Sequence, residues 1–140
     1  MLNLYFWPVF VLFTLLSLFV LPIILLVCCG LFFRSFASVI RRCIVIYGWV
    51  LVKLVPFFCP VRVTGKIRNL PAPVIFVANH NSAIDPYLFG ALVLENGFVT
   101  SWPFAIPVYN VLMRMAGYVD ATQGWDEMKS QCPDLLEDGS

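Results

Sequence analysis

The sequence predicts an α/β protein held to a membrane, with an N-terminal membrane helix and an interfacial helix followed by the first part of an α/β domain. Three observations predict it. The 140 residues are 61% hydrophobic, 16% aromatic and only 12% charged, against about a quarter charged in soluble domains. Residues 9–29 form an uncharged run of 21, sixteen of them Leu, Ile, Val or Phe. After Pro60 the pattern changes to short apolar runs separated by turn residues, the mark of alternating strands and helices. The formal net charge of +1 is a cancellation, because residues 1–83 carry +7 and residues 84–140 carry −6. A basic segment beside an apolar one suits an anionic membrane face, and the composition argues against a disordered chain or a free cytosolic domain.

Taken in order, residues 1–60 read as a membrane anchor. At about 1.5 Å rise per residue the run 9–29 spans a hydrocarbon core of about 30 Å. Pro22 inside it predicts a kink that membranes tolerate. A cleaved signal peptide fits poorly, since no Lys or Arg precedes the run. Arg34, Arg41 and Arg42 follow it, which places that end on the cytoplasmic side. A second apolar stretch, 43–59, carries Lys53 in its middle and Pro56 near its end, with Tyr47 and Trp49 of the headgroup-seeking type. It reads as an interfacial or re-entrant helix.

Residues 61–140 read as a globular α/β unit. Residues 61–63 alternate as a short edge strand, and 74–78 are an apolar run suited to a buried strand. Asp85-Pro86 looks like a cap and first turn, opening a helix to about residue 94. A second buried strand is expected over 98–101, a helix over 107–115, and a third strand at 118–119. The acidic tail is loosely helical over 125–136, with a break at Cys132-Pro133. The five cysteines, Cys28, Cys29, Cys43, Cys59 and Cys132, form no C-x-x-C pair. They indicate neither a disulfide framework nor a zinc site, and read as small apolar side chains.

The chain has one histidine, and it falls where α/β proteins place ligands, after a strand and before a helix. The stretch is Ala78-Asn79-His80-Asn81-Ser82-Ala83-Ile84-Asp85-Pro86. A tight loop can fold the Asp85 carboxylate onto His80, fixing the tautomer and leaving the other ring nitrogen as a base for a substrate hydroxyl. The competing role for Asp85 is a simple helix cap.

The run Pro73-Val74-Ile75-Phe76-Val77-Ala78-Asn79-His80-Asn81-Ser82-Ala83-Ile84-Asp85-Pro86 resembles the first sequence block of the glycerolipid acyltransferases, the family that includes 1-acylglycerol-3-phosphate acyltransferase. Asn-His, four residues, then Asp, after an apolar strand, is the signature. Val61-Arg62-Val63-Thr64-Gly65 with Asn69-Leu70-Pro71 is similar to the family's lead-in, and Trp102-Pro103-Phe104-Ala105-Ile106-Pro107-Val108-Tyr109-Asn110 to its second block. The resemblance implies an α/β acyltransferase domain in which His80 is the general base and Asp85 orients it. Asn79 and Ser82 then lie at the substrate, and Arg62, Lys66 and Arg68 stand near an anionic headgroup or the acyl donor's phosphates. The implied donors are acyl-CoA or acyl-carrier protein, used as co-substrates with no resident cofactor. The implied acceptor is a lysophospholipid, 1-acylglycerol-3-phosphate foremost, yielding phosphatidic acid at the cytoplasmic face.

The sequence departs from the family in lacking a Glu-Gly-Thr-Arg block, in Ser101 where many relatives have Lys, and in Asn110 where Gly is frequent. The expectation is an N-terminal portion of a longer acyltransferase. The alternative is a catalytically silent, membrane-anchored fragment or interaction module. One His without clustered carboxylates gives no support for a metal, and basic residues behind a membrane helix do not form a nucleic-acid surface.

Overall fold

The computed structural model describes residues 2–32, 35–54, 61–65, 74–79 and 85–137. They are mostly helical: α1 (Leu2–Phe32), α2 (Phe36–Leu54), α3 (Asp85–Leu88), β1 (Val99–Thr100), α4 (Tyr109–Met115), β2 (Val119–Asp120) and α5 (Trp125–Glu137), with short 3-10 turns between α3 and α5. β1 and β2 pair in parallel, Val99 opposite Val119 and Thr100 opposite Asp120.

α1 outruns the expected 9–29 at both ends, through Pro8 and Gly30, with no charged residue in the extensions. Its stretch Leu4–Leu31 is long and apolar enough to cross a membrane, and none of it is fully buried. Pro8 and Pro22 lie inside it on exposed positions. One stripe is half-buried, at Phe6, Phe10, Thr14, Ser17, Leu21, Leu25 and Cys28. That three-and-four spacing marks one helix face turned toward protein.

α2 starts seven residues before the expected 43, the Val39 N–H donating to the Ser35 carbonyl (3.1 Å). Arg41 and Arg42, read as flanking charges, therefore lie within the helix, and Arg34 lies outside the described residues. The structure describes α2 to Leu54, and residues 55–59 of the expected segment lie outside the described residues. α2 packs on α1, on α3 and on the 3-10 turn Phe89–Leu92. The closest approach is made by glycines: a Cβ on Gly90 would sit 2.3 Å from the Trp49 backbone nitrogen and 2.4 Å from the Gly48 carbonyl carbon. Only the absence of a side chain permits that contact.

The core joins α2 to the C-terminal half. Ile40, Phe104, Met113, Ala116 and Tyr118 form a buried cluster, with Leu25, Ile44, Phe98 and Leu112 packed against it. Phe98 meets Phe89 and Tyr118 edge-on at 5.4 Å each, a geometry favoured by the ring quadrupoles. At the end of β2, the Asp120 carboxylate accepts from the Thr122 backbone N–H (3.0 Å) and hydroxyl (2.7 Å). Those donors hold its carboxyl below the usual carboxylate range by favouring the charged form.

Several sequence expectations need correction. Residues 74–78 form no strand. Val77 is 95% exposed, Ile75 and Phe76 are exposed too, and the parallel partner of β1 is β2. An apolar run becomes a buried strand only when a neighbour completes its ladder, and no described strand does so here. Residues 61–63 are likewise exposed and outside any strand. The helix expected to residue 94 is a single α-turn continued by the 3-10 turn. Val93 then ends it in the left-handed region, at φ 55°. α5 continues through Pro133, where a break was expected; the proline is exposed, so water can satisfy the carbonyl that loses its intrahelical donor.

Candidate functional site

Asn79 and Asp85 come together. They line an open cleft of about 240 Å³ with Ala78, Leu88, Phe89 and Leu92. Asp85 is the first residue of α3 and so sits within the helix rather than ahead of it as a cap; its charge at that end suits the local backbone dipoles. The walls are otherwise apolar, as for a site that takes an acyl chain beside a few polar groups. Arg62 is exposed in the stretch 61–65 and is not among the residues lining the cleft. His80, Ser82, Lys66 and Arg68 lie outside the described residues. No group of three or more His, Cys, Asp or Glu side chains with metal-binding geometry occurs among the described residues.

α3 is too short to stand alone, since one helical turn does not repay its nucleation cost. It is seated by Tyr87. That ring packs against Phe10 of α1 (6.2 Å) and Tyr47 of α2 (5.8 Å), while Tyr47 stacks on Phe13 (5.0 Å). The hydroxyls join as well. Tyr47 contacts the Thr14 hydroxyl at 2.6 Å, and Tyr109, the first residue of α4, lies near enough to act on both the Tyr47 and Tyr87 phenols. Burial pushes the Tyr47 phenol up to about 12 and raises Tyr87 further, so both remain protonated donors near neutral pH.

A second polar cluster was not legible in the sequence. Arg41 is buried, its side chain 2% exposed. Its Nε donates to Glu95 Oε1 at 3.1 Å and its guanidinium to the Ala116 carbonyl at 3.1 Å. Arg42 donates from Nε to Glu95 Oε2 at 2.9 Å. Burial pushes the Glu95 carboxyl up, but hydrogen bonds from Arg42, Ser38 and Arg41 outweigh it and leave the group below its ordinary range. The cluster ties α2 to the segment after α3 and to the turn before β2. Near it, the Tyr118 hydroxyl is buried without a hydrogen-bond partner among the described residues.

No family model, curated protein or solved structure matches the chain. The reading of the site therefore stands on its residues and their geometry.

Proposed function

We propose that the chain is a membrane-bound O-acyltransferase that moves an acyl group from acyl-CoA or acyl-carrier protein to a lysophospholipid hydroxyl. The favoured acceptor is 1-acylglycerol-3-phosphate and the product phosphatidic acid, made at the cytoplasmic face. The observation that carries the reading is the cleft. Asn79 and Asp85, which bracket His80 in the sequence motif, share one apolar-walled opening at α3, whose Tyr87 ring meets Phe10 of the long apolar helix. A site placed so lets the acceptor keep its acyl chain in lipid while its hydroxyl reaches the polar end.

In this reading His80 takes the proton from the acceptor hydroxyl as its oxygen attacks the thioester carbonyl. Asp85 holds the imidazole and stabilises its charged form. Collapse of the tetrahedral adduct breaks the C–S bond, and the departing thiolate receives the proton. An ester and a free thiol result, with no acyl-enzyme. Asn79 and Ser82 serve the substrate end, and Arg62 and Lys66 attract the anionic headgroup or donor phosphates.

The test is transfer from labelled acyl-CoA to lysophosphatidic acid by membranes carrying the chain, with His80→Ala beside the wild type. Loss of the base is expected to cost about 10²-fold or more in rate. Equal rates would remove His80 from the mechanism.

A further inference from the structure

The C-terminal half of the chain packs along the middle of α1 rather than at one end of it. Phe10 meets Tyr87 of α3, and Phe13 and Thr14 meet Tyr47 of α2. Farther along, Leu25 packs on the cluster that contains Ile40, Phe104 and Met113. From Phe10 to Leu25 is about 22 Å at the helical rise, most of a hydrocarbon core of about 30 Å.

Both contact sites carry groups that hydrocarbon does not accept. Beside Phe10, the Phe89 ring after α3 holds Phe76 at 6.2 Å. Phe76 belongs to the stretch 74–79, which is in neither helix nor strand and is exposed from residue 75 onward. Lipid-exposed irregular backbone does not occur in the bilayer core, because its polar groups find no partners there. At the Leu25 end, the exposed Arg114 stands over the Phe104 ring at 5.8 Å, and Arg42, more than half exposed, pairs with Glu95 at 2.9 Å. Ionised side chains in a bilayer face protein or a water-filled cavity, not lipid. Sliding α1 along the membrane normal does not relieve this, since any crossing stretch of about 20 residues drawn from α1 contains Phe10 or Leu25.

The free side of α1 is equally definite. Leu12, Phe19, Ile23 and Leu26 are exposed and lie opposite the half-buried stripe by helical spacing. α2 continues that surface with an exposed stripe of its own, Arg42, Ile46, Trp49 and Lys53, at four-three-four spacing. The Lys53 Nζ lies 5.9 Å from the centre of the Trp49 ring. An apolar and aromatic stripe with a cation at each end matches the headgroup level of an anionic leaflet.

We infer that α1 does not cross the bilayer but lies along one leaflet: Leu12, Phe19, Ile23 and Leu26 enter the acyl chains, the exposed stripe of α2 sits among the headgroups, and the C-terminal half stays on the water side. An in-plane helix usually needs a polar face for water. α1 needs none, because its other face is covered by α2, α3 and the core. This orientation goes beyond the acyltransfer reading and does not depend on it.

The experiment uses the full chain with its natural cysteines replaced by serine and single cysteines reintroduced. In sealed inverted vesicles from cells producing the chain, a membrane-impermeant maleimide is applied to Ser35→Cys and to a cysteine appended ahead of Met1, the two ends of α1. Both are expected to label from the same side. In vesicles of phosphatidylethanolamine with phosphatidylglycerol, nitroxides at Leu12→Cys, Phe19→Cys and Leu26→Cys should report one common depth from their oxygen and nickel-chelate accessibilities. The wild-type chain in oriented bilayers supplies a third reading free of substitutions. Its helical residues are mostly those of α1 and α2, 31 and 19 long, so its amide I dichroism should show axes near the membrane plane. Labelling of the two ends from opposite sides would overturn the inference. So would a nitroxide at residue 19 lying about 10 Å deeper than those at 12 and 26, the rise of seven helical residues, or dichroism with axes along the normal. Spin–spin broadening at residue 19 with oxygen excluded would also overturn it, by showing that a second copy, not lipid, covers this face.

Discussion

α1 and α2 are both long and apolar, and the structure uses them in opposite ways. α1 has no charged residue, and no side chain from Leu4 to Leu31 is fully buried. α2 carries Arg41, Arg42 and Lys53, yet it supplies the buried stripe Val39, Ile40, Arg41, Val45 and Leu51. The more hydrophobic helix is thus the more exposed one. Hydrophobicity measures what a helix can leave water for, and both lipid and protein interior satisfy it. Charge decides less than expected, because a guanidinium can be buried when a carboxylate and a carbonyl meet its donors.

The largest effect that would sharpen this contrast comes from Arg41→Ala in α2. It strands Glu95 with the half-exposed Arg42 alone and is expected to cost about 3–5 kcal/mol, as for one partner of a buried ion pair, read by unfolding of the detergent-solubilised chain. Acid should weaken the same cluster reversibly. The folded-state pKa of Glu95 is lowered, so its contribution is present above the ordinary carboxylate pKa and fades as pH falls through the lowered value. A titration of the unfolding midpoint downward from about pH 5 follows it.

Gly90→Ala ranks next, with an expected loss of about 1–3 kcal/mol from forcing a methyl into the Gly48 and Trp49 backbone. A neutral result there would mean that α2 and the turn after α3 are less closely joined than the structure has them. Leu12→Ala in α1 should do least. Leu12 is 71% exposed, so unfolding of the soluble contacts should shift by no more than about 0.5 kcal/mol. A cost of several kcal/mol would show that this face of α1 is covered by protein.

Much of the helical layout was legible from periodicity and punctuation. The run 9–29 falls inside α1, 107–115 encloses α4, and the short strands expected at 98–101 and 118–119 became the paired β1 and β2, with a shift of about one residue. These signals are local. Hydrophobic period, Gly117 after α4 and Pro107 before it act within a few residues. Where the outcome depended on a distant partner, the sequence misled. Residues 74–78 look like a buried strand because apolar runs usually are, but pairing is decided by what lies alongside. Arg41 looks like a flanking membrane charge because its carboxylate partner is 54 residues away. At the candidate site, Asn79 and Asp85 were named from the motif and do share a cleft. The contact between the Thr14 and Tyr47 hydroxyls had only one sequence-level trace, a threonine in the middle of an apolar helix.

The sequence by itself determined that this chain has a helix able to cross a membrane, a basic first part and an acidic second part, and a motif with one histidine and its nearby aspartate. Composition and local spacing are sufficient for those properties, because they depend on transfer free energy and on neighbours within a turn or two. Only the tertiary structure decided which apolar helix carries the core, that Arg41 is buried against Glu95, and that Tyr47 meets Thr14. Those outcomes rest on contacts between residues 33 to 75 positions apart, whose geometry is set when helices pack and cannot be read from any one of them alone.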